Sequence, residues 1–125
     1  MAKRTLPVVT WLDSPEDHNF PAAKSYLSLI FPEREAGRLV AALRRAPLSH
    51  FKSKDIFRAS GLSLLGVSNA HVEKDRDKIR HGRSLSPVLL VRDTARGKVI
   101  VADGYHRLCA VYGFDEDALV PCKIV

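Results

Sequence analysis

The chain has 125 residues, 46% of them hydrophobic and 27% charged, with a formal net charge of +6 at pH 7. That length supports one domain with a real core but not two ordinary ones, and the composition is that of a globular protein rather than a disordered or fibrous one. No apolar run approaches the roughly 20 residues needed to cross a bilayer, so no membrane partner is expected.

At the N-terminus, Lys3 and Arg4 are followed by only a few apolar residues before Pro7, Trp11 and Asp13 intervene. That is too short for a secretory signal, and a cytoplasmic location is expected. Leu6 to Trp11 reads as a short extended segment that lays Trp11 on the domain, with Pro15, Asp17 and Asn19 marking a loop. Pro21 suits a first helical position, and Ala22 to Ile30 reads as a short helix. A stronger helix begins at Pro32. Ala36, Leu39, Val40 and Leu43 fall on one face at helical spacing, Arg38, Arg44 and Arg45 fall outward, and Pro47 stops it.

Residues 51–61 fit either a short helix ended by Gly61 or a strand-like segment. Leu62 to Val67 is an apolar linker. Ser68 and Asn69 offer caps for a helix over 70–80 that is anchored by Val72 and Ile79 and ended at Gly82. Pro87 to Arg92 reads as a strand, Asp93 to Gly97 as a turn, and Lys98 to Ala102 as the returning arm of a hairpin. A helix over 104–112 buries Leu108, Cys109 and Tyr112, Gly113 ends it, and Val120 to Val125 is a last strand. The fold class expected is α+β: a small mixed sheet with a hairpin and a strand–helix–strand C-terminal half, beneath a helical N-terminal third. The whole chain, 1–125, reads as a single domain, with 1–50 a mostly helical N-terminal extension and 51–125 the core.

Cys109 and Cys122 are the only cysteines and sit in apolar patterns, which suits small buried hydrophobes rather than a disulfide. The histidines at 18, 50, 71, 81 and 106 show no metal-ligand spacing, and no metal-ligating residue is assigned. Charge is uneven. Residues 51–92 hold nine Lys/Arg against four Asp/Glu and carry almost the whole excess. Such a region suits an acidic partner, or is a solvated helix face with alternating signs over 73–80.

The most informative stretch is Val99 to Tyr112. A β-branched apolar run meets Asp103-Gly104 and a helix that opens with His106 and Arg107. Cations are disfavoured at a helix N-terminus, which already carries partial positive charge and unpaired N–H donors. Two basic residues there make best sense with an anion among them. Free N–H groups, a glycine permitting close approach and an arginine fork describe a phosphate or carboxylate site. The alternative is internal: Asp103 caps the helix, or pairs with Arg107 or His106, with no ligand present.

Residues 69–125 resemble the ParB/sulfiredoxin superfamily. The pieces that carry the likeness are the helix from Asn69 through Ile79, the link His81-Gly82-Arg83, the Pro-led strand Ser86 to Val91, and the turn Gly104-Tyr105-His106-Arg107 opening a helix, a DGxHR-type variant. The resemblance implies that Gly104, His106 and Arg107 form a phosphate-binding turn, with Tyr105 beside them. Asp103 would cap the helix or help hold magnesium with the phosphates, and Lys74 would contact phosphate from the preceding helix. Tyr105 stands where a sulfiredoxin has its catalytic cysteine, which argues against sulfinic acid reduction. With Val125 directly after the last strand, the helix-turn-helix by which partition proteins read DNA is not expected.

The expected function is therefore that of a stand-alone domain binding a nucleotide of the ATP or CTP class, or another phosphorylated small molecule. If it is catalytic, phosphoryl transfer or hydrolysis is the chemistry these residues suit. Asp103 and His106 are then the catalytic candidates, an imidazole being able to give or take a proton at neutral pH. Gly104, Tyr105, Arg107 and Lys74 are the binding candidates, with Arg76 the alternative to Lys74. A non-catalytic nucleic-acid module using the basic 52–92 region, Lys52, Lys54 and Arg58 included, is the second reading, weakened by how few aromatics are there to stack on bases. Homo-oligomerisation is left open.

Overall fold

A computed structural model describes residues 8–65 and 69–125. Three expectations fall partly outside them: the start of the extended segment at Leu6-Pro7, the end of the apolar linker at Gly66-Val67, and the cap at Ser68. The elements are α1 (Asn19–Leu27), α2 (Glu33–Arg45), β1 (Leu48–Lys52), α3 (Ser53–Ser60), α4 (Ala70–Arg80), β2 (Val88–Asp93), β3 (Lys98–Asp103), α5 (Tyr105–Phe114) and β4 (Leu119–Ile124). The fold is α+β, with a mixed sheet of four strands in the order β1-β4-β2-β3. The hairpin β2–β3 is antiparallel, β4 runs parallel to β2, and β1 closes the far edge antiparallel to β4.

Strand alternation sends side chains to two faces, and each face has its own core. Leu89, Val91 and Ala102 pack under α1 and α2, with Phe20, Leu27, Ala36 and Leu43. Val88, Leu90, Val101, Val120 and Cys122 pack under the other helices, with Ile56, Val72, Ile79 and Leu108. The N-terminal helices thus cover one sheet face: Leu27 and Leu43 are fully buried, each worth about 1.5–3 kcal/mol of apolar burial. Trp11 lies in an extended segment bridged in parallel to Leu85, and it packs, half-buried, on the second core.

Several local readings are revised. Residues 48–52 form an edge strand, half-buried at Leu48 and exposed from His50 onward. The segment alternates too weakly to announce a strand and is held by its pairing to β4, from Leu48 opposite Lys123 to Lys52 opposite Leu119. Residues 51–61 then hold both expected forms, the end of that strand and a helix with Gly61 as its C-cap. Helix α1 starts at Asn19, with Pro21 in its first turn, where an N–H has no partner to lose. The buried side chain of Asn19 accepts a short hydrogen bond from Ser86 Oγ, which fixes that start against the core. Helix α4 runs over the expected residues, and the Asn69 side chain accepts from the N–H groups of His71 and Val72 at 3.0 and 3.2 Å.

Helix α5 continues through Gly113 to Phe114. The missing side chain at Gly113 makes room for the Arg76 guanidinium, which lies 4.2 Å from the centre of the Phe114 ring. Val111 is buried in the core where Tyr112 was expected. Tyr112 sits half-buried with its ring edge-on to Phe57 at 5.2 Å.

Candidate functional site

Strand β3 delivers Asp103 to the sheet rim, and Gly104 turns the chain into α5 with φ +110°. A Cβ on Gly104 would stand 2.5 Å from Val88 Cγ1 and 2.9 Å from Arg107 Nη2. Glycine is required here by the positive φ, by β2 beneath it and by the arginine beside it. The expected carboxylate cap does not form: Gly104 is the N-cap, with no side-chain hydrogen bond to the first turn.

The Asp103 carboxylate goes to Arg107 instead. Arg107 Nη2 donates to Asp103 Oδ2 at 2.9 Å and reaches the Pro87 carbonyl at 3.4 Å. Both side chains are more than four-fifths buried, and Arg107 Nε has no partner among the described residues. Of the two explanations for basic residues at this helix start, the structure shows the internal one for Arg107. Part of its fork is therefore engaged within the chain.

The rest of the turn stays open. The N–H of Leu108 bonds to the Gly104 carbonyl at 3.0 Å, whereas those of Tyr105, His106 and Arg107 have no acceptor among the described residues. The His106 ring lies 4.9 Å from that of His71 on α4 and 5.8 Å from that of Tyr105. The Tyr105 hydroxyl makes a short hydrogen bond to the Ser63 carbonyl, tying the segment after α3 to the site.

Together these groups line a cavity of about 330 Å³ with a mostly polar wall. Helix α4 contributes His71, Lys74, Asp75 and Lys78, the β3–α5 junction contributes residues 103–107, and His18 arrives from just before α1. Every candidate of the phosphate-site reading except Arg76 is therefore here: Asp103, Gly104, Tyr105, His106, Arg107 and Lys74. Arg76 is mostly buried on Phe114, with Nε 3.7 Å from Glu73. Lys74 is exposed and has no carboxylate within 4.0 Å among the described residues.

The sequence reading missed Asp75, Lys78, His18 and His71. Asp75 had a signal, since it lies three residues after Val72 and four before Ile79, on the stripe of α4 that faces the core. It is 9% exposed, and burial raises its carboxyl above the ordinary carboxylate range, although Lys78, Arg107, His106 and Lys74 pull the other way. His18 had none, because only the tertiary fold brings it across. With the histidines neutral, Lys74, Lys78 and Arg107 exceed Asp75 and Asp103 by one charge.

The basic region outside the cavity is largely paired. Lys54 lies 2.7 Å and Lys52 3.9 Å from Asp117, Arg58 lies 3.6 Å from Asp55, and Arg80 lies 2.6 Å from Asp77 and 3.0 Å from Glu73. Among the described residues no set of three His, Cys, Asp or Glu converges as a metal site, and no helix is long and apolar enough to cross a membrane. In comparisons with known proteins, no family model, no curated protein and no solved structure matches this chain.

Proposed function

We propose that this chain is a ParB/sulfiredoxin-like domain that binds a nucleotide of the ATP or CTP class, or another phosphorylated small molecule, in the cavity at the start of α5. The observation that carries the reading is convergence. Three backbone N–H groups at residues 105–107, without acceptors among the described residues, share one cavity with Lys74, Lys78 and three imidazoles. Unsatisfied donors at a helix N-terminus favour an anion, and lysines add charge without fixing one geometry. The volume of about 330 Å³ admits a compact phosphorylated molecule.

The arrangement stabilises charge more readily than it supplies a nucleophile, so phosphoryl transfer or hydrolysis is the chemistry it suits. His106, within ring contact of His71, is the group placed to exchange a proton with a ligand. Asp103 is tied to Arg107 through one carboxylate oxygen, and a magnesium ion, where the ligand carries one, would arrive with the phosphates. Pairing across Lys52, Lys54 and Arg58 weighs against the nucleic-acid reading.

Thermal unfolding with ATP, ADP, CTP and GTP, each with and without magnesium, tests this. A ligand at 100 times its dissociation constant stabilises by about 2.7 kcal/mol, and Lys74→Ala should shrink the shift. No shift with any nucleotide would remove the ATP or CTP class, and the same shift in Lys74→Ala would overturn the cavity as the binding site.

A further inference from the structure

Asp75 is out of place in an anion cavity. It lines the same wall as Lys74 and Lys78, is 9% exposed, and repels any phosphate that enters. Buried carboxylates are normally hydrogen-bonded, because desolvation without a partner is costly. No described group donates to this one. Lys78 Nζ, 3.9 Å away, pairs with it by charge and not by a hydrogen bond, Arg107 Nη2 is committed to Asp103 and Pro87, and the carboxylate opens onto the cavity. The free donors nearby, on α5 and Lys74, are the groups that hold an anion. What this acceptor lacks is a neutral donor that stands next to the anion.

We propose that Asp75 accepts a hydrogen bond from a hydroxyl carried close to the ligand's phosphate, so that the cavity takes hydroxylated phosphate esters in preference to plain alkyl phosphates. This rests on the cavity being a phosphate site. The hydroxyl lies between two negative groups: it satisfies the carboxylate and keeps the phosphate oxygens at a distance from it. An ester without the hydroxyl displaces solvent from the Asp75 carboxylate and leaves it with only the Lys78 charge, 3.9 Å away, beside a second negative charge. The same placement makes Asp75 a group that an acceptor hydroxyl would meet, beside an Asp103 whose Oδ2 is already tied to Arg107.

The test is a pair of amide-resolved NMR titrations of the full chain in metal-free buffer, one with glycerol phosphate and one with propyl phosphate, which differ only in hydroxyls. The wild type should bind glycerol phosphate about tenfold more tightly, the worth of one hydrogen bond to a charged acceptor. Asp75→Ala, which suits a helix, should bring the two esters to equal affinity without weakening propyl phosphate. Asp75→Asn keeps an acceptor oxygen and should retain part of the preference, which carries the test if the alanine variant misfolds. Equal binding of both esters by the wild type, or a preference that survives in Asp75→Ala, overturns the inference and leaves the phosphate site standing. No shift at residues 105–107 with either ester removes the phosphate site and this inference together.

Discussion

Arg107 and Asp103 face each other across 2.9 Å at the junction of β3 and α5, and the pair is mostly buried. A cation in the first turn of a helix works against the helix dipole, and here the preceding strand supplies the compensating anion. The arginine is thus part of what holds the turn closed, and in the proposed reading the backbone N–H groups and Lys74 are left to meet an anion.

Arg107→Ala should therefore destabilise the free protein by about 1.5–3 kcal/mol, since it strands a largely buried carboxylate. Removing Asp103 as well, in Asp103→Ala/Arg107→Ala, should cost less than the sum of the single changes. Urea unfolding of the four proteins measures the coupling. An Arg107→Ala protein as stable as the wild type would show that the pair contributes nothing to the fold.

Gly104→Ala should cost about 2–4 kcal/mol, from a side chain at positive φ and from overpacking against Val88. Val88→Ala removes the Cγ1 that the new Cβ would meet at 2.5 Å. The double variant should accordingly be more stable than the two single losses predict. Strict additivity would mean that the contact with Val88 Cγ1 is not what makes glycine necessary.

Burial pushes the Cys122 thiol up to about 11 and also raises Cys109 above its ordinary value. The nucleophilic thiolate is scarce in the native state, so both cysteines should react with an aromatic disulfide reagent only as fast as the protein opens. Labelling under native conditions is the check, and rapid modification of either would contradict the packing of the second core.

Asp75→Asn should stabilise the free protein at neutral pH. A carboxyl whose folded pKa is raised binds protons more tightly in the native state, so it costs stability as pH rises through the window above the unfolded value. The gain from asparagine should shrink as pH falls toward the ordinary carboxylate range. Denaturant melts of both proteins across that range decide it: a gain that does not depend on pH would mean Asp75 is not desolvated.

Much of this was legible in the chain. The hairpin, α4 and the β3–α5 junction announce themselves through β-branched runs, an asparagine cap and glycines, all of which act over a few residues. Strand β1 does not, because Leu48 to Lys52 becomes a strand through a partner about seventy residues away. The site divides the same way. Residues 103–107 are contiguous and visible. Lys74 was reached through the family likeness, and His18 and Lys78 join only when α4 and the chain before α1 close over the junction. Asp75 was visible as a carboxylate on an apolar stripe, but the basic run around it drew the reading toward charge balance.

The most direct test of the phosphate site is an amide-resolved titration of the wild type and Lys74→Ala with ATP and with CTP. The account predicts that the largest shifts fall at Tyr105, His106, Arg107 and the α4 residues around Lys74, and that Lys74→Ala weakens binding about tenfold. Shifts centred on Lys52, Lys54 and Arg58, or none at residues 105–107, would contradict it.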